Sequence, residues 1–538
     1  MSDRYVLAID HGTSGCKTAL VSTRGAIAGG EFEPCPTHYL PGGGVEQDPQ
    51  DWWRALLASS RRLIARGLVP VESIVAVACS STFSSTVATK ASGQPVAPCL
   101  TWMDARGAPH VQKAMRGLVN FQGYSLPNLA RWVPRTGGAP TLSGKDDIAH
   151  VLYWKHDVPD VYREADFFLE SKDWLNLRLT GRCAASFDST TLFWATDTRD
   201  IHHVRWDDGL LQRLGVDRAK LPELLRSTDI LGPLLDDVAD ALGVARALPV
   251  VVGSPDLQSA CIGSGAVRDF EAHLYVGTST WILCHVPFRK TDALHAIASL
   301  PSAIPGRYFA ANEQDMAGGC LEFAIRTLLY PQSELRPEPP PPDLHARIDA
   351  AIAKVPAGAR GVLFAPWLNG EKTPVDDESL RAGFHNLAVG TTLDDMLRAI
   401  YEGVALNARW LLLHTEKFAG RRLEPINIIG GGAQSDIWCQ IYADVLGRTV
   451  RRVEQPRQAN ARGAAFLAAV ALGDITFADI PGLTRFDRVF EPNLQHKALY
   501  DKHFAGYLDL WKRTRGWHRR WRHAPATDPA GQAGHLTP

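Results

Sequence analysis

One device occurs twice in this chain and does most to fix what it can fold into. Tyr5-Val6-Leu7-Ala8-Ile9-Asp10 is an apolar run ending in His11-Gly12-Thr13-Ser14-Gly15. A second apolar run, Thr18-Ala19-Leu20-Val21, follows before a turn at Thr23-Arg24-Gly25. Much later, Ala272-His273-Leu274-Tyr275-Val276, Gly277-Thr278-Ser279-Thr280 and Trp281-Ile282-Leu283-Cys284 repeat the layout. Each copy reads as a β-hairpin with a Gly/Ser/Thr tip. Two copies predict two related domains, each opening its sheet with such a hairpin, with a boundary near Gly263 to Asp269. A length of 538 residues agrees, being too long for a single core.

Strand and helix signals alternate between and after the hairpins. Ser73 to Cys79 and Pro249 to Val252 read as strands, and Pro49 to Arg66 as an amphipathic helix. Leu393 to His414 and Ala461 to Leu472 read as helices, and Ile426 to Ile429 as a strand running into Gly430-Gly431-Gly432. The alternation predicts an α/β class with mixed sheets. Arg336 to Pro342 reads as a stiff exposed loop and Pro525 to Pro538 as a disordered tail.

Four motifs carry chemistry. In the first, Gly12, Thr13 and Ser14 at a hairpin tip free backbone N–H groups for phosphate oxygens. Lys17 can reach a phosphate as a point charge, and Asp10 can hold a hydrated Mg²⁺. Gly277, Thr278 and Ser279 would clasp the same nucleotide from the other domain. In the second, Gly431, Gly432, Ala433 and Asp436 form a glycine turn that opens a helix, where a base or ribose can lie flat. That turn nearly matches a dinucleotide fingerprint, but its third glycine is absent. In the third, Asp256 follows a buried strand and opens a small-residue helix. Such a residue serves as an N-cap or as a general base. In the fourth, Trp102, Asp104 and Arg106 combine an aromatic face for C–H groups with charges for hydroxyls, a set suited to a polyol.

Totals remove other classes. A net charge of -1 argues for neither nucleic acid nor a solvating acidic chain. Nine scattered cysteines without a C-x-x-C pair speak against zinc or thioredoxin chemistry and fit a reducing cytoplasm. No apolar stretch approaches the ~18 residues of a membrane span. The basic run Lys512, Arg513, Arg515, Arg519, Arg520 and Arg522, interleaved with Trp511, Trp517 and Trp521, reads as the solvated face of a terminal helix.

Taken together and in order, these residues resemble the FGGY carbohydrate kinases over roughly Tyr5 to Leu472. Gly44 to Pro49 with Trp52 and Trp53, Gly370-Glu371-Lys372-Thr373-Pro374 and Arg398 to Gly403 are similar to further landmarks of that family. The resemblance implies two ribonuclease-H-like domains of the actin and sugar-kinase ATPase type flanking a central cleft. Their expected extents are 1–265 and 266–490, with 491–538 as terminal helix and tail. It implies ATP with Mg²⁺ as cofactors, Asp256 as catalytic base, and a small sugar or polyol held by Ser84, Trp102, Asp104, Arg106 and Asp256. Within the family the chain looks most like the xylulose kinases, so D-xylulose to xylulose 5-phosphate is the first expectation. The alternatives are a kinase for ribulose, erythritol or glycerol, or a sugar-sensing pseudokinase. Thr82-Phe83-Ser84 stands where xylulose kinases carry a Gln-Met-His element, which removes the imidazole that would bond the sugar. A cytoplasmic homodimer binding neither nucleic acid nor membrane completes the expectation.

Overall fold

The structure, a computed structural model, describes residues 3–331 and 339–521. Of the expected proline-rich loop only 339–342 fall within it, and the expected tail lies outside the described residues.

The first hairpin forms as predicted. Tyr5–Gly12 pairs antiparallel with Gly15–Ser22 in unbroken register, Asp10 opposite Lys17. Its strands are apolar on both faces because both faces are covered. Leu7, Ile9 and Leu20 face one core with Trp52, Leu56 and Leu63 of the helix Pro49–Ala65. Val6, Ala8, Ala19 and Val21 face a second core built almost wholly of small residues. The first sheet has six strands in the order Ile230–Pro233, Pro249–Val251, Ile74–Ser81, Tyr5–Gly12, Gly15–Ser22 and Ile27–Pro34.

The second hairpin, Ala272–Val276 with Thr280–Val286, lies inside an eight-stranded sheet. Ala272–Val276 also runs parallel to Ile426–Ile429, the strand that feeds the glycine turn. A separate five-stranded sheet includes Gly44–Gln47, Thr86–Thr89, Cys99–Leu100 and Phe167–Glu170.

Two helices cross between the sheets. Asp256–Gly263 starts just after the strand Pro249–Val251, while Ala459–Ala471 comes from the second half of the chain yet lies on the first sheet. Ala461, Ala464, Ala465 and Ala468 rest on Val6, Ala8, Ala76 and Ala78, so the small side chains of both partners allow close approach. At the crossing point a Cβ on Gly263 would fall 1.8 Å from the Ala459 carbonyl oxygen, and one on Gly463 would fall 1.8 Å from that of Ser259. The helices therefore touch backbone to backbone. Arg462 sits beside this contact and donates to the carbonyls of Gly25 (3.2 Å), Gly263 (3.5 Å) and Glu454 (2.8 Å).

The terminal helix Lys497–Arg520 buries Tyr500, Phe504 and Tyr507 in the large core of the second half of the chain. The Tyr500 and Tyr507 hydroxyls donate to Glu402 (2.9 Å) and to Asn407 (2.7 Å). Of the expected solvated basic face, Lys512, Arg513 and Arg515 are exposed, whereas Arg519 bonds Asp377 at 2.8 Å. Arg522 lies outside the described residues. Among the described residues no helix is long and apolar enough to cross a membrane.

Candidate active site

The two hairpin tips leave backbone donors open. Thr13 and Ser14 form the first tip, and among the described residues their amides find no acceptor. Their carbonyls are held instead: Gln47 Nε2 donates to Thr13 O at 2.7 Å and the Cys35 amide to Ser14 O at 3.0 Å. The amides of Thr278 and Ser279 likewise have no acceptor among the described residues, while Ala317 N–H donates to Thr278 O at 2.7 Å. Free amides on a carbonyl-anchored loop are what an anion-binding turn requires. His11, between Asp10 and the tip, packs against Trp52 with ring centroids 4.6 Å apart, and burial pushes its imidazole down to about 3. It is therefore neutral, and neither ring nitrogen has a hydrogen-bond partner among the described residues.

Asp10 lies buried near the end of its strand. One carboxylate oxygen lies 3.5 Å from Lys17 Nζ and the other accepts from Asn460 Nδ2 at 3.3 Å. Both contacts are long, so the carboxylate retains capacity for a hydrated cation. Among the described residues no group of three or more His, Cys, Asp or Glu side chains is arranged to hold a metal. One carboxylate completed by water and phosphate oxygens suits Mg²⁺ better than a cage of protein ligands would.

Asp256 is the first residue of its helix, not the N-cap, which is Pro255. Its Oδ1 accepts from the Leu257 amide at 2.8 Å. The approach is rigid: Ser254 donates to Asp188, and a Cβ on Gly253, whose φ is +71°, would lie 2.3 Å from the Cys79 carbonyl oxygen. Desolvation, then the charges of Asp10 and Glu313, push the Asp256 carboxyl up to about 8, against the Leu257 amide and Lys17. A carboxyl raised in this way by burial and by the charge of a second carboxylate is a candidate acid–base group. Tyr275 stacks on Trp281 with centroids 4.0 Å apart, and its phenol is pushed up by burial and by Asp256 and Asp10.

The glycine turn divides its labour. Gly430 has φ +96°, and a Cβ there would lie 2.5 Å from the Val276 carbonyl oxygen. Gly432 abuts the Val276 side chain. Gly431, at φ -63° and ψ -42°, could carry any side chain, yet nothing lies within 4 Å of where its Cβ would be. That empty face is the space a base or ribose would take. Gly431→Val is therefore expected to leave the melting temperature within about 1 °C of the parent while weakening ATP binding tenfold or more. Isothermal titration beside a melting curve separates the two, and unaltered ATP affinity would remove the nucleotide from this turn. Two predicted neighbours act differently. Ala433 is wholly buried, so only its backbone is available, and Asp436 is ion-paired with Arg452 and Arg488.

On the acceptor side Trp102 is half-buried, and its indole N–H donates to the Thr13 hydroxyl at 3.0 Å. The expected sugar platform and the expected phosphate loop are thus directly joined. Lys372 Nζ lies 5.8 Å from the Trp102 ring centroid and 2.7 Å from Glu313, bringing the second half of the chain over the platform. Asp104 needs correcting. It is fully buried, accepts from the Val45 amide at 2.8 Å and binds Arg106 at 2.6 Å. Arg106 also bonds Glu46 at 2.6 Å. With both charges consumed, the pair shapes the loop that presents Trp102 and is not open to a ligand.

Ser84 is buried at φ +62°, and its hydroxyl donates to the Lys145 carbonyl at 2.7 Å. The reason for that backbone lies in a residue the sequence reading missed. Glu170 accepts the Ser84 amide at 2.7 Å and the Ser85 amide at 3.1 Å. Asp147 lies next to Glu170 and accepts from Thr86 at 2.6 Å; burial, then the charge of Asp147, pushes the Glu170 carboxyl up, while burial raises Asp147, with Asp146 and Asp173 adding and its bonds to Thr86 and Glu170 opposing. Asn460 was also missed, because its partner Asp10 is 450 residues away.

Residues 5–263 match the N-terminal domain of the FGGY family of carbohydrate kinases, and residues 272–472 match its C-terminal domain. The chain belongs to the FGGY family of carbohydrate kinases. It is a sugar kinase, with ATP as phosphate donor and a divalent metal as helper, as in the family. A curated FGGY relative, the xylulose kinase of Staphylococcus epidermidis, is 26% identical over 527 residues, covering 96% of this chain and 98% of the relative. The autoinducer-2 kinase of Yersinia enterocolitica is 28% identical over 512 residues, covering 93% and 92%. The solved xylulose kinase of Lactobacillus acidophilus superposes with a TM-score of 0.82 at 22% identity, covering 96% of this chain and 100% of its own, which confirms the two-domain FGGY fold.

Proposed function

We propose that this FGGY kinase transfers the γ-phosphoryl of MgATP to a hydroxyl of a small ketose or polyol, with D-xylulose giving xylulose 5-phosphate as the first candidate. The observation that carries the reading is the raised carboxyl of Asp256 beside Asp10 and Lys17. The open amides of Thr13, Ser14, Thr278 and Ser279 hold the phosphate oxygens, Lys17 adds a charge, and the face of Gly431 takes the adenosine. Asp10 would hold Mg²⁺ through water, and the ion would offset charge on the transferring group. Asp256 accepts the proton of the attacking hydroxyl, while Trp102 covers the C–H face of the acceptor and Lys372 closes over it. Transfer of this kind depends on positioning and charge stabilisation. The boundary between the domains falls near 265, and all nine cysteines are free, which agrees with a cytoplasmic enzyme.

Xylulose is favoured because relatives along nearly the full length are named for it. Ribulose, erythritol, glycerol and the substrate of the autoinducer-2 kinases compete with it, because Thr82-Phe83-Ser84 lacks the imidazole expected of a xylulose kinase. ADP release with MgATP across pentuloses, hexuloses, pentitols and glycerol is the test. One acceptor should stand out by tenfold or more in kcat/KM, and xylulose ranking below another member would replace it as the substrate.

A further inference from the structure

The turn Pro456–Gln458 and the start of the helix Ala459–Ala471 bridge the two ends of the nucleotide site. Gly430, in the glycine turn, donates its amide to Pro456 O at 3.1 Å. Four residues on, Asn460 reaches Asp10 at 3.3 Å. A nucleotide with its base on Gly431 and its last phosphate near Asp10 must span this same gap. Arg457 lies on the bridge and is exposed.

Three nearby arginines are engaged. Arg451 bonds Asn427 at 2.7 Å, Arg452 pairs with Asp436 at 2.6 Å and Asp487 at 2.8 Å, and Arg462 holds three carbonyls. Arg457 makes no hydrogen bond or ion pair with any described residue. Its charge nevertheless reaches the phenol of Tyr275, the side chain that also senses Asp256 and Asp10. A guanidinium that the described residues leave free presents a fork of donors matched to phosphate.

We propose that Arg457 is a further catalytic residue, gripping the terminal phosphate of ATP as it leaves for the acceptor. The assignment rests on the nucleotide placement argued above. Charge spreads over the equatorial oxygens of the transferring group, and a guanidinium supplied there is worth far more in the transition state than in the ground state. Arg457 is the one donor of this kind in the bridge, and no other part of the fold uses it.

The test needs no acceptor sugar. Binding of AMP-PNP and of ADP, each with Mg²⁺, is measured by isothermal titration for the parent, Arg457→Gln and Arg457→Lys. The glutamine variant should melt within about 1 °C of the parent, since an exposed unpaired side chain is replaced. It should bind AMP-PNP at least tenfold more weakly while its ADP affinity stays within threefold, and the lysine variant should recover part of the loss. With the acceptor present, kcat should fall at least a hundredfold with KM for the sugar unchanged. Equal weakening of both nucleotides would move Arg457 to the inner phosphates and overturn the proposal, as would affinities and kcat all within threefold of the parent. A parent protein that binds neither nucleotide would overturn the site reading itself.

Discussion

Asp256→Asn is expected to lower kcat by about 10³- to 10⁴-fold while raising thermal stability at neutral pH. Both effects follow from one carboxyl. Turnover falls because the amide cannot accept the hydroxyl proton. Stability rises because the fold holds this carboxyl at about 8 against an ordinary 3.8, chiefly by desolvation. As pH climbs from 3.8 to 8 the unfolded chain releases a proton that the folded chain keeps, so the native state loses ground across that window. The stabilising share of Asp256 is complete below the lower value and absent above the upper one. The melting temperature of Asp256→Asn should therefore match the parent near pH 4 and exceed it by about 2 °C or more near pH 8. A difference that grows towards acid pH would show that the carboxyl is not raised. The parent's kcat/KM should rise with pH on its acid limb as Asp256 ionises. Because Asp10 is the second cause of the shift, a cation bound there should move that limb down.

Gly463→Ala is expected to cost at least about 3 kcal/mol of stability, near the upper end for overpacking. The added carbon would meet a backbone oxygen at 1.8 Å, and neither helix has a side chain there that could move aside. Whatever protein still folds should turn over about a hundredfold more slowly, since the helix pushed away begins with Asp256. Urea midpoints and single-turnover rates would check this. A midpoint unchanged from the parent would mean that the helices can part freely.

What the sequence disclosed was local. Both hairpins were legible because glycine, serine and threonine interrupt apolar runs at a spacing only a turn satisfies. The place of Asp256 was legible because a short loop after a buried strand leads into a run of small residues that reads as a helix. The glycine turn was legible, but the single glycine with an open face was not, since that depends on Val276 occupying the other side. Asp104 misled for the same reason. Trp-x-Asp-x-Arg reads alike whether its charges face a ligand or each other, and the Val45 amide, 59 residues away, decides it. Glu170 gave no signal at all. Its meaning comes from amides 86 and 85 residues earlier in the chain, a contact that no periodicity records.

The bond from the Trp102 indole to the Thr13 hydroxyl has a bearing on time. In the proposed site one end of it would stand under the acceptor and the other beside the donor's phosphates, so an acceptor that tilted the ring would also shift the Thr13 turn. A sugar of the wrong shape would then act as a clock running slow, delaying alignment of a donor already seated. Discrimination among sugars would appear less as failure to occupy the pocket than as ATP spent on water while the loop waits.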